Sequence, residues 1–287
     1  MSPISIPGKV ILRSTKLLDY YPSAAAAYSL RQLRTSVTNV VRVRRSSDNT
    51  ESDFTATEVS DGTLAAWVGA GNDGFVRTWY DQSGNGNDAE QATTATQPAI
   101  VLSGSLVTQG SKPAISTGAV TDSNFRVPDG ISASNYTASI FIAAKSNVAT
   151  YAALGGSARL ANTAFDGSNN RFYFGTNRNG APASILSGNY DANFYLYSST
   201  ATFGTSPFVF SSTATPTLAV AHFNSQQCFS GSISPTNTGI TKQNVYVGGS
   251  GSNYWDGLYQ EFILYQSDQS SNRIGIEADI NAYYSIF

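Results

Sequence analysis

The sequence predicts an all-β protein built as a β-sandwich or jelly roll, and three observations support this fold class. From about residue 98 onward, short apolar segments recur roughly every 10–15 residues with turn residues between them. The chain contains 16 tyrosines and 15 phenylalanines, which suit large pleated surfaces. Charged residues make up only 13% of the 287 residues, so Ser, Thr, Asn and Gln must provide most of the polar surface. The predicted strands of this part are 138–144, 171–174, 194–197, 208–210, 217–223, 244–247 and 258–265.

The chain begins with a segment, 1–15, that we expect to be an extended arm because it contains two prolines. Ser23 follows shortly afterwards as a candidate N-cap, and four alanines, the best helix formers, come next. Tyr28 and the two leucines that follow it would then face the core. The sequence therefore predicts a short N-terminal helix over 23–34.

The hydrophobic pattern then changes to a period of two. Val41 and Val43 alternate with Arg42 and Arg44, which predicts a strand with one solvent-facing side. The next elements are predicted, in order, as a polar loop, a short helical turn and a strand at 48–58, 63–68 and 75–80.

A C-terminal helix is predicted at about 268–284. Ser267 or Ser270 could cap it, and isoleucines and tyrosines then recur at near-helical spacing. No linker rich in Pro or Gly divides the chain, so we expect one sandwich domain over 16–287 preceded by the arm at 1–15.

Composition excludes several classes of function. The net charge of −2 argues against a nucleic-acid partner and against attraction to anionic membranes. The single cysteine, Cys228, excludes an intramolecular disulfide and a cysteine-based metal cluster. The single histidine, His222, lies in an apolar segment, where a packed side chain is expected rather than a zinc ligand or the base of a Ser-His-Asp triad. No segment resembles a signal peptide or a membrane helix, so we expect synthesis in the cytoplasm without export and no membrane insertion.

A loop rich in Gly, Asn and Asp follows the strand at 75–80. Its glycines can supply positive φ and its Asx side chains can cap a tight turn, which is the interpretation we favour. In the alternative, the same side chains present amides and carboxylates to a sugar or a calcium ion. The spacing lacks the regularity of an EF-hand, so no cofactor is predicted and calcium is only the alternative. The side chains concerned are Asp81, Gln82, Asn85, Asn87 and Asp88.

Three segments of the N-terminal half resemble the catalytic domain of the fungal α-L-arabinofuranosidase B family. They are 25–30, 43–48 and, as the most specific, 80–87. The later segments 247–249 and 255–262 resemble the closing strands of concanavalin-like and laminin-G-like sandwiches. The resemblance implies a concanavalin-like jelly roll. Similar arrangements that end in a helix occur in bacteriophage particle proteins.

The same resemblance implies a retaining glycosidase with a Glu nucleophile and an Asp acid/base. In this chain the position after the Gly-Gly bend, where the acid/base is expected, is Ser250. No glutamate lies between Glu90 and Glu261 to act as the nucleophile, and the adjacent cysteine pair of the family is absent. Because loss of either carboxylate costs orders of magnitude in rate, we expect no catalytic residues and no enzymatic activity.

Sugar binding without catalysis needs an exposed aromatic ring beside amide and carboxylate groups. The loop next to the Gly-Gly bend contains these groups, and the alternative is that its tryptophan closes the end of the sandwich. The candidate glycan-binding residues are Ser250, Asn253, Tyr254, Trp255 and Asp256.

The main hypothesis is a non-catalytic bacteriophage virion protein, either a tail-fibre or a head-decoration component. It would reside in the virion, bind host-surface carbohydrate and other virion proteins, and self-associate as a homo-oligomer, by analogy a trimer. A further hypothesis is a purely structural decoration protein that binds no sugar. The catalytic alternative is a glycoside hydrolase of arabinofuranosidase type with a rearranged carboxylate pair, such as Asp166 with Asp256.

Overall fold

The computed structural model describes a protein of antiparallel strands with four short helices in the described residues. Those residues are 16–118, 123–131, 137–147, 158–164, 172–176, 185–189, 205–232, 243–250 and 253–287. The predicted arm at 1–15 and the predicted strand at 194–197 lie outside them. The helices are α1 (Leu17–Tyr20), α2 (Ala56–Ser60), α3 (Thr63–Val68) and α4 (Arg273–Tyr284).

One layer of the structure is a sheet that α4 covers on its outer face, and we call it the helix-covered sheet. Its strands are β1 (Ala24–Ser29), β10 (Ile115–Ser116), β12 (Ala138–Ser146), β16 (Pro207–Ala214), β17 (Leu218–Phe223), β18 (Gln226–Ser232) and β22 (Gly257–Tyr265). Their spatial order is β18-β17-β16-β12-β22, and β1 and β10 pair with successive parts of the other edge of β22.

The opposite layer is a second sheet in the order β3-β2-β4-β5-β11-β19-β13-β14-β15. Its strands are β2 (Asn39–Arg45), β3 (Glu51–Thr55), β4 (Gly74–Trp79), β5 (Ala89–Glu90), β11 (Phe125–Ile131), β13 (Ala158–Ala164), β14 (Phe172–Thr176), β15 (Ile185–Asn189) and β19 (Gln243–Val247). β6 (Ala99–Leu102) pairs with both β4 and β10 and so joins the two sheets at one edge. The remaining short strands are β7 (Ser105–Leu106), β8 (Thr108–Gln109), β9 (Lys112–Pro113), β20 (Gly249–Ser250) and β21 (Asn253–Tyr254).

The main core lies between the two sheets and is centred on aromatic rings. The ring of Tyr28 lies 5.7 Å from that of Trp79 and 5.8 Å from that of Phe262. Trp79 in turn lies 5.7 Å from Phe125, and all four side chains are buried. These contacts join β1 and β22 of one sheet to β4 and β11 of the other, as expected of a sandwich. The prediction of an all-β sandwich is confirmed.

A second apolar layer lies between the helix-covered sheet and α4. Alternate residues of β22 serve the two layers: Phe262 faces the sandwich, whereas Ile263 and Tyr265 face the helix. α4 contributes Ile276 and Ile280 to this layer, and both are completely buried. The predicted C-terminal helix is therefore confirmed, although it begins at Arg273 rather than near 268.

The predicted helix at 23–34 is wrong, because Ala24–Ser29 forms strand β1 and all six residues are buried. β1 pairs with β22, between the two apolar layers. Ala26 faces the sandwich core and Ala27 faces α4, so both faces of the strand must be apolar and small on the helix side. Burial of both faces removes the polar alternation that would have identified a strand, and the helix propensity of alanine is overridden.

The strand predicted around Val41–Arg44 is confirmed as β2, but its arginines are not both solvated. Arg44 is buried, donates from Nε to Gln97 Oε1 at 2.7 Å and lies over the ring of Phe75. The loop predicted at 48–58 is also wrong. It contains β3 and α2, whose start is fixed by a capping box between Thr55 and Glu58.

The helical turn and the strand predicted at 63–68 and 75–80 are confirmed as α3 and β4. Of the later predicted strands, those at 138–144, 171–174, 208–210, 217–223, 244–247 and 258–265 correspond to β12, β14, β16, β17, β19 and β22. Within the described residues, α4 is the longest helix at 12 residues, and none is a candidate membrane span.

We expect Ile280→Ala to lower the free energy of unfolding by about 3 kcal/mol, because it leaves a cavity between α4 and the sheet. Ile274→Ala is the matched control on the same helix, since Ile274 is 69% exposed, and it should change stability by no more than about 0.5 kcal/mol. Urea unfolding followed by circular dichroism measures both. Equal effects of the two substitutions would contradict the docking of α4 on the sheet.

Candidate functional site

A short hairpin brings the chain back on itself at one end of the sandwich. Gly248 has a φ of +96°, a conformation that favours glycine, and it precedes β20. β20 pairs with β21, in which Gly249 lies opposite Tyr254 and Ser250 opposite Asn253. The amide of Trp255 then donates to the carbonyl of Gly248 at 2.9 Å. The hairpin therefore places residues 255 and 256 beside the Gly-Gly bend.

Asp256 is held at this end of the sandwich by two neighbours. Asn147 Nδ2 donates to Asp256 Oδ1 at 2.9 Å, and the amide of Asn147 donates to the carbonyl of Asp256 at 3.0 Å. Gly118 lies so close that a Cβ atom at this position would overlap Asp256 Oδ1. The carboxylate is thus fixed both by a hydrogen bond and by contact with backbone.

Trp255 is completely buried, and its ring lies 6.0 Å from that of Phe208. Thr117 Oγ1 donates to the carbonyl of Trp255 at 2.7 Å, which ties the segment to the strand region before Gly118. The ring closes the end of the core and is not exposed for stacking on a sugar. Asp166, the other carboxylate of the predicted pair, lies outside the described residues.

The side chains of the loop at 81–88 form hydrogen bonds that connect the loop to β1 and fix its turn. Asp81 Oδ1 accepts hydrogen bonds from the amides of Ala27 and Ser83, both at 2.9 Å. Its Oδ2 accepts from Ser83 Oγ at 2.6 Å and from the amide of Asn87 at 3.0 Å. These bonds occupy both oxygens of Asp81 and fix the turn in the manner of an Asx turn.

Gln82 and the two asparagines of the loop add further hydrogen bonds. Gln82 is completely buried, donates to the carbonyls of Ser29 and Arg31, and accepts from the amide of Leu33 at 2.7 Å. Asn85 and Asn87 donate to backbone carbonyls of β1 at 2.9 and 2.7 Å. The side chains of the loop thus have a structural role, because they hold β1 in the sheet.

Asp88 belongs to a polar cluster on the outer face of the second sheet. The pairing of β4 with β5 brings Asp88 alongside Tyr80, whose hydroxyl donates to Asp53 Oδ1 at 2.7 Å. Burial raises the pKa of Asp88. The hydrogen bond from the amide of Asp81 to Asp88 Oδ1, at 2.8 Å, partly offsets this rise, and the charges of Asp81 and Glu90 add to it. Asp53 is the opposite case, because its hydrogen bonds with Arg42 lower its pKa.

The fold also buries a charged group that the sequence did not predict. Glu261 is completely buried and accepts from Arg31 Nε at 2.7 Å and from Arg31 Nη2 at 3.0 Å. Arg31 Nη1 lies 2.7 Å from Asp279 Oδ1 on α4. Burial lowers the pKa of Arg31, but the Glu261 carboxylate more than compensates, so the pKa is raised overall. The sequence does contain a signal for this buried ion pair, since Glu261 is the lone charged residue in the apolar run of β22.

A further buried acid anchors the start of α4. Glu277 accepts hydrogen bonds from Ser211, from Ser225 Oγ at 2.6 Å and from Arg273 Nη1 at 2.7 Å. His222 is half-buried near this group, and burial lowers its pKa. Within the described ranges, no cluster of three or more His, Cys, Asp or Glu side chains could hold a metal ion.

No protein-family model and no curated protein sequence matches this chain. Among solved structures, it is similar to an arabinofuranosidase in complex with arabinofuranosyl-α-1,2-xylobiose, with a TM-score of 0.64, 16% identity, and coverage of 90% of this chain and 62% of that one. A GH54 α-L-arabinofuranosidase soaked with a cyclic sulfate inhibitor gives a TM-score of 0.61, 14% identity and the same coverage. Domain 4 of AbnA, an extracellular GH43 arabinanase from Geobacillus stearothermophilus, in complex with arabinotriose, gives 0.52, 16% identity, and coverage of 69% and 91%.

At these identities the similarity shows the fold, an arabinofuranosidase-like sandwich. The chain spans 62% of the length of the arabinofuranosidases that it matches. The prediction of a non-catalytic bacteriophage virion protein is contradicted, because these structures are carbohydrate-cleaving enzymes and a domain of one, and they give no link to a virion. The prediction that the chain is not an enzyme is contradicted by the same matches. It rested on two family positions, and a change at those positions does not exclude a carboxylate elsewhere.

Asp88→Asn should stabilise the protein at pH 7 by up to about 1 kcal/mol, because the amide replaces a carboxylate whose ionisation is disfavoured in the fold. The raised pKa means that ionised Asp88 costs stability above the pKa of the unfolded chain and costs nothing below it. The gain should therefore vanish near pH 3. Urea midpoints measured from pH 3 to pH 8 test this, and a pH-independent gain would contradict it.

Glu261→Gln should lower the free energy of unfolding by about 3 kcal/mol, because the buried Arg31 loses its main charge partner. Asp53→Asn is the matched control, since the Arg42–Asp53 pair is exposed by 42% and 31%. The control should cost no more than about 1 kcal/mol. Chemical denaturation of both variants gives the comparison, and an equal loss would argue against a special role for the Glu261 ion pair.

Proposed function

We propose that this chain is a glycoside hydrolase that cleaves arabinofuranosides and that Asp256 is one of its two catalytic carboxylates. The observation that carries the proposal is the position of Asp256. Its carboxylate is fixed by Asn147 and Gly118 at the end of the sandwich, beside the Gly-Gly bend. That bend is where the resemblance to arabinofuranosidases puts the acid/base, a position that Ser250 occupies in this chain.

The hairpin explains how a carboxylate at position 256, instead of one at position 250, can lie beside the Gly-Gly bend. The hydrogen bond from Trp255 to Gly248 brings Asp256 back next to the bend, six residues after Ser250 in sequence. A carboxylate in the connection between β21 and β22 can therefore act in the region where the family places its acid/base. Its fixed orientation suits catalysis, because a positioned group acts without reorganising in the transition state.

Glycosidic hydrolysis requires a second carboxylate across the scissile bond. A separation of about 5–5.5 Å between the carboxyl groups would give retention of configuration, and about 6.5–9.5 Å would give inversion. The sequence offers Asp166 for this role. The choice of an arabinofuranoside as substrate is supported by the enzymes that share the fold, one of which is in complex with an arabinofuranosyl-xylobiose.

Turnover of 4-nitrophenyl α-L-arabinofuranoside by the purified protein tests the proposal. Asp256→Asn should lower kcat/KM by about 100-fold or more, because loss of a catalytic carboxylate removes acid–base or nucleophilic assistance. Asp268→Asn is the matched control, since Asp268 is exposed and forms a hydrogen bond only with the amide of Ser270 among its described contacts. It should leave kcat/KM unchanged.

The absence of turnover in the wild-type protein on aryl pentofuranosides, or full activity of Asp256→Asn, would overturn the proposal. The second carboxylate is identified by the same assay on Asp166→Asn, with Asp122→Asn and Asp191→Asn as comparisons. If Asp166 is the partner, only its replacement should cause a loss similar to that of Asp256→Asn.

A further inference from the structure

A cavity of about 370 Å³ opens between α1, α2, α4 and the turn that follows β1. Its size falls in the range of small-molecule sites. Arg31, on its wall, is paired with Glu261 of β22. Asp256 lies five residues before Glu261 along the same extended segment, a separation of about 17 Å. The cavity is therefore separate from the proposed catalytic end of the sandwich.

One wall of the cavity carries charges that compensate each other. Arg31 is held by Glu261 behind it and by Asp279 on α4, so two carboxylates balance Arg31 and the nearby Lys16. Asp279 Oδ1 is buried and lies 2.7 Å from Arg31 Nη1, so this oxygen belongs to the ion pair. The Asp279 side chain as a whole is 37% exposed and lines the cavity, so its carboxylate can still accept a hydrogen bond from a bound molecule.

The other walls carry uncharged polar groups. Thr57 of α2 contributes a hydroxyl, and Tyr283 of α4 contributes a ring beside Arg31. Gln32 donates from Nε2 to the carbonyl of Val37 at 2.7 Å, which orients its amide and leaves the amide oxygen as an acceptor. The lining thus mixes hydrogen-bond donors with acceptors, and its charged side chains are of both signs.

This mixture suits one class of ligand. An anion would meet the carboxylate of Asp279, and a cation would meet Arg31 and Lys16. A sugar hydroxyl both donates and accepts, so a neutral saccharide can use both kinds of group at once. We propose that this cavity is a binding site for a neutral saccharide of one or two residues, distinct from the site at Asp256. The inference rests on the proposed function only for its choice of arabinose-containing sugars.

The test is an NMR titration of the Asp256→Asn protein, which prevents cleavage, with α-1,5-linked arabinobiose and with galacturonate as an anionic probe. Thr57→Trp, added to this protein, fills the cavity from an exposed helix position. It should weaken arabinobiose binding at the cavity at least about tenfold. Ala66→Trp, at an exposed position of the neighbouring α3 that does not line the cavity, should leave binding unchanged.

The proposal is overturned if Thr57→Trp binds arabinobiose as its parent does, if only galacturonate binds, or if neither probe binds. In the otherwise unaltered chain, Thr57→Trp should keep the turnover of the aryl arabinofuranoside. If the protein shows no turnover but Thr57→Trp weakens arabinobiose binding, the proposed hydrolase activity is wrong and the cavity site is supported. If the protein shows turnover but Thr57→Trp leaves binding unchanged, the hydrolase activity is supported and the cavity site is wrong.

Discussion

Burial of β1 and β22 on both faces is the constraint on which the rest of the structure depends. Strands in this position can expose neither face to water, so both must be apolar over most of their length. The small side chains of β1 let α4 approach the sheet. The charged side chain that does occur in β22, Glu261, must then be neutralised locally, and Arg31 does so from the turn after β1. The loop at 81–88 also holds β1 in place, because side chains of the loop form hydrogen bonds with the backbone of β1.

Sequence reasoning succeeded where one side of an element is polar. The strand at 75–80 and the C-terminal helix have clear periodicities, and both are present in the structure. It failed at β1, where burial of both faces leaves no alternation and local helix propensity points the wrong way. It also failed at Arg44, because an alternating arginine looks solvated unless its buried partner Gln97 is known. A contact between residues so distant in sequence leaves no trace in a local pattern.

The candidate site shows a similar division. The Gly-Gly bend and Asp256 were visible in the sequence, but the features that hold the carboxylate were not. Gly118 and Asn147 are far from Asp256 along the chain and meet it only through the fold. The charge group around Arg31 was missed for the same reason. Ser250 indicates a loss of function only if the catalytic carboxylate must lie at that position in the sequence. A hairpin can instead bring a different residue to the same place.

The contact between Gly118 and Asp256 links two positions that are 138 residues apart in the chain. A Cβ atom at 118 would overlap Asp256 Oδ1, so a side chain there would displace the carboxylate from its present position. Relatives that retain an acid at 256 are expected to retain glycine at 118. Relatives that have exchanged the acid for a small residue are free to carry a larger one at 118. Covariation of this pair would therefore separate descendants that kept the acid from those that lost it, without any knowledge of their substrates.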